Sequence, residues 1–316
     1  MDEFELIKKY FSPLEKLDNS VIVPNGDDAA VISLPEGKSI AFSADTLVEG
    51  VHFLPSANPE VIGFRSAAVN LSDMAAMGAE PRHSLLSLVI PNNNEGWLRN
   101  FSMGLGECLD KYNCSLLGGN TARGPLAISL TIVGYVSGSP LTRAGAKIGD
   151  TILVSGTLGD ASGALGILNK TPLDADEKFL IGRYERPLAR INLSTHLLGI
   201  ANSAIDISDG LLADAGHIAA ASDVGIDLLA SSIPISSSLS RVYTEKEALE
   251  FALNGGDDYE LIYTVPQEAL AEAHAMAAKV GIKLTKIGTV TEGSHVRCLS
   301  GENQDIIFKT KGYKHF

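Results

Sequence analysis

Apolar positions recur at helical spacing in some stretches and as short β-branched runs in others, and the two patterns alternate from end to end. Phe4, Ile7, Tyr10 and Phe11 predict a short first helix. Ala29 to Ser33 and Ser39 to Ser43 read as strands, with the turn Pro35-Glu36-Gly37 between them. Asn58-Pro59, a cap followed by a first-turn proline, opens a long helix to about Gly78. That helix is rich in Ala, Ser and Gly, so something packs closely on it. A strand from His83 to Ile90, a helix from Glu95 to Tyr112, a short strand from Ser115 to Leu117 that leads into a Gly118-Gly119 loop, and a strand from Leu126 to Val136 complete the first half.

Turn formers then accumulate from Ser137-Gly138-Ser139-Pro140 to Gly149-Asp150 and predict a boundary between domains 1–138 and 139–316. The second half restarts with a strand from Thr151 to Ser155 and a glycine-spaced run, Gly156 to Gly163. Helices follow near Ala175 to Tyr184 and Arg190 to Asn202, then the apolar run Ser203-Ala204-Ile205 and a helix from Asp209 to Ser222. A strand from Tyr259 to Val265, a helix from Gln267 to Val280, and strands near Lys283 to Val290 and Val296 to Leu299 end the pattern. Strands and helices intermix in both halves, so the fold class is α+β: two mixed α/β domains.

Composition narrows the function. The chain has 316 residues, enough for two cores, with 45% hydrophobic and 20% charged residues, as in ordinary globular proteins. No apolar stretch approaches the ~20 residues of a membrane span. The acidic start Met1-Asp2-Glu3-Phe4-Glu5 lacks the features of a signal peptide, so a cytoplasmic location is expected. Cys108, Cys114 and Cys298 form no zinc spacing and read as packing residues. A net charge of −13 argues against nucleic acid as a partner. An acidic chain still binds nucleotides where metals bridge the two sets of negative charge.

The candidate chemistry lies in carboxylates at the breaks between apolar segments. Asp206-Ile207-Ser208-Asp209-Gly210 stands where a strand hands over to a helix. Gly26-Asp27-Asp28, Asp45, Asp73 and Gly255-Gly256-Asp257-Asp258 repeat the theme. Gathered acids repel one another, and holding divalent cations is a reason to gather them. If the strands after Asp28 and before Asp45 pair as a hairpin, the two acids meet. Asp73 sits mid-helix among small apolar residues, with Asn70 three positions earlier on the same face. Gly118-Gly119-Asn120-Thr121 suits close approach to a phosphate or forms a plain loop, and it is neither a P-loop nor a dinucleotide fingerprint. Arg143 reads as a phosphate contact or a surface charge, and His52 as a substrate contact or a surface residue. No Ser-His-Asp or Cys-His arrangement offers a covalent nucleophile.

Together these runs resemble thiamine-monophosphate kinases, within the superfamily that includes aminoimidazole ribonucleotide synthetase. The resemblance rests on Gly26-Asp27-Asp28-Ala29-Ala30, Ser43-Ala44-Asp45-Thr46, His52-Phe53, Val69 to Ala79, Leu117 to Thr121, Ala204 to Leu211, Gly255 to Leu261 and Lys311-Gly312-Tyr313. It implies transfer of the ATP γ-phosphoryl group to thiamine monophosphate, and a homodimer whose N-terminal domains join through a shared β-barrel. It implies magnesium ions held by Asp28, Ser43, Ala44 (through its carbonyl), Asp45, Asp73, Asn120, Asp206 and Asp209. Gly119, Asn120, Arg143 and Ser208 would meet ATP, and His52, Asp257 and Tyr313 would meet thiamine monophosphate. Tyr313 would stack on a thiamine ring, and the positive end of the helix after Asp209 would face the phosphates. Three positions depart from the family pattern: Asn120 stands for Asp, Ala44 for Thr and Asp257 for Glu. Asn120 removes a negative charge, so a binding protein without turnover is the competing reading. Another ATP-dependent synthetase of the superfamily is a further one.

Overall fold

Glycines set how closely the first unit packs. In the computed structural model, residues 3–24, 29–301 and 304–306 are described. The chain divides into two units, residues 1–74 with 79–138, and residues 75–78 with 139–316. The first unit begins with helix α1 (Glu3–Leu6), which continues into a wider turn over Ile7–Phe11. Strands β1 (Val21–Val23) and β2 (Val31–Ile32) pair with each other. Then come β3 (Lys38–Val48), α2 (Pro59–Ala76), β4 (Glu80–Ile90), α3 (Glu95–Lys111), β5 (Ser115–Arg123) and β6 (Ala127–Ser137).

The second group of strands forms one sheet in the order β3-β6-β4-β5. Only β4 and β5 run parallel, and α3 makes the crossover that such a pair needs. A Cβ on Gly63 of α2 would fall 2.1 Å from the Phe101 carbonyl, and one on Gly104 of α3 would fall 1.8 Å from the Glu60 carbonyl. The two helices therefore touch backbone to backbone, which is the close packing that the small residues of α2 predict.

Two expectations are corrected. The strand before Ser33 and the strand from Ser39 do not form a hairpin. β3 pairs instead with β6 along its whole length, from Lys38↔Ser137 to Val48↔Ala127. Both strands have eleven residues, whereas β2 has two and matches the short β1. Gly118 to Arg123 is not a loop but the second part of β5. It fills the edge of the long β4, and Gly119 permits the approach, because a Cβ there would lie 1.8 Å from the Leu86 carbonyl.

The second unit contains β7 (Thr151–Ser155), α4 (Asp160–Leu165), α5 (Ala175–Glu185), α6 (Ile191–Leu197), β8 (Ser203–Asp206) and α7 (Leu211–Ser222). It continues with β9 (Gly225–Leu229), α8 (Ser237–Val242), α9 (Glu245–Asn254), β10 (Leu261–Val265), α10 (Leu270–Lys279), β11 (Leu284–Thr291) and β12 (Val296–Leu299). Its six-stranded sheet has the order β12-β9-β11-β7-β10-β8, and β12 with β9 is its one parallel pair. Ile152, Val154, Ile205, Ile262 and Ile287 of the sheet pack against Leu211, Ala215 and Ile218 of α7. A second cluster joins α4, α5, α8 and α9 around Leu180 and Leu239. α4, β9, α8 and α9 are elements that the apolar pattern does not announce. All three cysteines are buried and free, and no described helix is long and apolar enough to cross a membrane.

Candidate active site

Strand alternation sorts the acids of the first unit. Along β3, Ser43 and Asp45 point to one face and Ala44 and Thr46 to the other. On the first face the Ser43 hydroxyl donates to Asp73 Oδ2 at 2.5 Å. The Asp45 N–H donates to Asn70 Oδ1 at 2.8 Å, and Asn70, fully buried, donates Nδ2 to the Ser66 carbonyl at 3.1 Å. Asn70 thus fixes β3 against α2 and brings Asp45 to Asp73. Burial pushes the Asp45 carboxyl above its ordinary range, and a hydrogen bond with Asp73 pulls it partly back. Two carboxyls and a hydroxyl form a hard oxygen set of the type magnesium takes, and the hydrogen between the carboxyls relieves the repulsion that a cation would otherwise neutralise. The residues fit the ion.

The Ala44 side chain turns to the other face, while its main chain runs between Ser43 and Asp45; Asn120 lies elsewhere. The register Thr46↔Ser129, Ser129↔Ser87 and Ser87↔Asn120 puts these four residues in one polar row on the opposite face. Thr46 Oγ1 and Ser129 Oγ are 2.7 Å apart within it. Within its own unit, then, Asn120 is not joined to Asp45 and Asp73, because the pleat turns them to opposite sides. Gly118 to Thr121 also line a recess with Ile7, Phe11, Leu86 and Leu116. His52 Nδ1 accepts the Val48 N–H at 3.0 Å, which leaves its ring proton on Nε2. Asp28 and Tyr313 lie outside the described residues.

In the second unit two loops meet. Asp206 ends β8, and Ile207 to Gly210 follow as an irregular turn. The Ser208 carbonyl accepts the Asp257 N–H at 3.0 Å, and the Ile207 carbonyl accepts the Tyr259 N–H at 2.9 Å. Asp257 and Tyr259 both adopt left-handed backbone, with φ of 69° and 52°. The Tyr259 hydroxyl donates to Asp257 Oδ1 at 2.9 Å. Asp206, Ser208, Asp209 and Asp257 therefore lie on two loops that these backbone hydrogen bonds join. Arg143 is exposed, and its carbonyl accepts the Ser222 hydroxyl at 3.0 Å.

The sequence reading passed over several residues here. Asp214 Oδ2 accepts the N–H groups of Ser208, Asp209 and Gly210, and burial, then the nearby Asp209 charge, push its pKa up to about 7. Those three amides are therefore taken up within the chain. The signal was present: the cap position is Gly210, which has no side chain, and an acid stands in the first turn of α7. Ligand atoms of Asp209, Asp214 and His217 lie within 4.8 Å of one another. Deeper, Glu260 binds Arg183 at 2.8 Å, the Arg190 guanidinium at 2.6 Å and the Ser155 hydroxyl at 2.5 Å. Burial would raise its pKa, but Arg190 and Arg183 hold it below the ordinary range. Asp258 accepts the Gly159 N–H at 2.7 Å, and burial raises its pKa well above the usual value.

Two mixed α/β units, each with a cluster of oxygen donors, define a two-domain protein whose candidate site suits phosphate chemistry. Residues 26–136 match the model of the AIR synthase related protein, N-terminal domain, and residues 147–299 that of its C-terminal domain. The thiamine-monophosphate kinase of Escherichia coli (strain K12) is 43% identical over 318 residues, covering 99% of this chain and 98% of that protein. That of Haemophilus influenzae is 43% identical over 295 residues, covering 92% and 90%. The crystal structure of the Stenotrophomonas maltophilia enzyme superposes with a TM-score of 0.87 at 40% identity, covering 94% of this chain and 96% of that one. AaThiL complexed with AMPPCP and TMP, an Aquifex aeolicus structure, gives 0.80 at 36% identity, covering 99% and 97%. The chain belongs to the thiamine-monophosphate kinase family.

Proposed function

We propose that the chain carries out the reaction of its family, ATP-dependent phosphorylation of thiamine monophosphate to thiamine diphosphate, by direct in-line transfer of the γ-phosphoryl group. The observation that carries this reading is the pairing of Ser43 with Asp73 beside Asp45, a cluster of hard oxygens. The acceptor needs little activation, because a phosphate monoester oxygen is already nucleophilic at neutral pH. The protein's task is to align and neutralise the reactants. Magnesium, when bound, cancels negative charge on the nucleotide, the substrate and the carboxylates together. Asp28, Ser43, the Ala44 carbonyl, Asp45, Asp73, Asn120, Asp206 and Asp209 would hold the ions. Gly119, Asn120, Arg143 and Ser208 would orient ATP, and His52, Asp257 and Tyr313 the acceptor.

The working unit is a homodimer in which the two four-stranded sheets close into a barrel, in the cytoplasm. Support comes from the sheet face turned away from α2 and α3. Ile40, Phe42 and Leu85 are exposed there, Phe42 at 69%. Apolar side chains grouped on an open sheet are an association surface. Incubation with ATP, magnesium and thiamine monophosphate tests the activity, with thiamine diphosphate as the expected product. Binding of both substrates with no product over many hours would establish a binding protein instead.

A further inference from the structure

The loop that carries Asp206, Ser208 and Asp209 is held from behind by a buried carboxylate. Asp214 is 2% exposed, and its Oδ2 accepts three consecutive backbone N–H groups, from Ser208 at 3.0 Å and from Asp209 and Gly210 at 3.1 Å each. Successive amides converging on one point form a concavity suited to an anion. In this chain a side chain five residues beyond Asp209 supplies that anion. The loop's carbonyls are fixed in turn, those of Ser208 and Ile207 by the N–H groups of Asp257 and Tyr259. Two glycines make the fit close. A Cβ on Gly256 would stand 2.2 Å from the Ser208 carbonyl, and one on Gly210 would stand 2.9 Å from Asn254. With its amides turned inward, the loop leaves Ser208 exposed and Asp209 half-exposed.

We propose that Asp214 is a positioning residue for phosphoryl transfer: by filling the amide cradle behind residues 208 to 210 it fixes the direction in which Ser208 and Asp209 are presented to nucleotide and metal. Nothing else among the described side chains accepts these three amides. Without Asp214 they would seek water, the turn would open, and Asp209 would lose its orientation before any ion arrives. This inference rests on the kinase reading for its catalytic consequence, but not for its structural one.

The test is Asp214→Ala beside Asp214→Asn, which keeps one acceptor oxygen. In the Ala variant the magnesium concentration for half-maximal activity should rise about 10- to 100-fold, the usual effect of removing a group that orients a metal ligand. The KM for thiamine monophosphate should change less than the magnesium requirement, and the Asn variant should recover part of the loss. Hydrogen exchange at the amides of Ser208, Asp209 and Gly210, measured without ligands, should quicken in the order parent, Asn, Ala. A folded Ala variant with the parent's magnesium requirement would overturn the proposal, as would parent-like exchange. If the Ala variant does not fold, parent-like exchange and magnesium requirement in Asp214→Asn overturn it equally. Exchange needs no turnover, so a parent chain that makes no thiamine diphosphate sinks the kinase reading while leaving the cradle measurable.

Discussion

The Ser43 hydroxyl reaches from β3 to the Asp73 carboxylate on α2 across 2.5 Å, beside an Asp45 carboxyl whose pKa burial has raised. Holding two acids this close costs desolvation even with a hydrogen shared between them. Asp73→Asn should therefore stabilise the metal-free protein by roughly 1 kcal/mol while abolishing activity, a usual exchange between function and stability. Thermal unfolding with and without magnesium is the measurement. Magnesium should raise the parent's melting temperature and leave the variant's nearly unchanged, and a parent-like response of Asp73→Asn would remove Asp73 from the metal site.

Glu260 and Asp258 should respond oppositely. Glu260 has a folded pKa below its ordinary 4.5, so its stabilisation is complete above that value and is lost as pH falls through the lower folded one. Glu260→Gln removes the buried carboxylate that two half-buried guanidinium groups share, leaving Arg183 with Asp160 at 3.6 Å, and should cost about 3 kcal/mol at neutral pH. Asp258 has a folded pKa well above 3.8, so its contribution to stability declines as pH rises from that value. Asp258→Asn should gain on the parent over the same interval. Denaturant midpoints recorded as a function of pH would show both slopes.

At the crossing of α2 and α3, Gly63→Ala or Gly104→Ala should cost about 3 kcal/mol, because the added methyl meets backbone that cannot step aside. Gly182→Ala is the control. It lies in α5 with nothing within 4 Å of the added carbon, and it should gain about 0.5–1 kcal/mol.

Phe42→Asp should convert the proposed dimer to a monomer, because it puts a charge on the apolar sheet face. Sedimentation velocity would report the change. A variant that sediments as the parent does would exclude this face from assembly.

Asn120→Asp restores the charge typical of the family and should increase activity or magnesium affinity. Unchanged magnesium titration and turnover would show that position 120 does not meet a metal.

Most of the framework was legible from periodicity. The long α2 and the long β4 and β6 follow directly from where apolar residues recur. Asp73 stood out because an Asp among small apolar residues in a helix interior has little structural reason to be there. The partner of β3 was not legible, since pairing depends on matched strand length and not on nearness in sequence. Gly118-Gly119 misled for a related reason: glycine marks close approach, and here the approaching group is the Leu86 carbonyl of a neighbouring strand. Asp214 and Glu260 escaped because each acts on groups brought to it by folding, backbone amides in one case and two arginines in the other.

Helix α7 starts behind the acidic loop and ends beneath the segment that bears Arg143. Its twelve residues span ~18 Å. At the far end the Ser222 hydroxyl donates to the Arg143 carbonyl and accepts the N–H groups of Gly145 and Ala146, while the Thr142 carbonyl accepts the Ala204 N–H of β8. The segment bearing Arg143 and the turn bearing Asp209 are thus fastened to opposite ends of one rod. Helix α7 is their common footing, so the spacing between the exposed guanidinium segment and the acidic turn is set by the length of one helix.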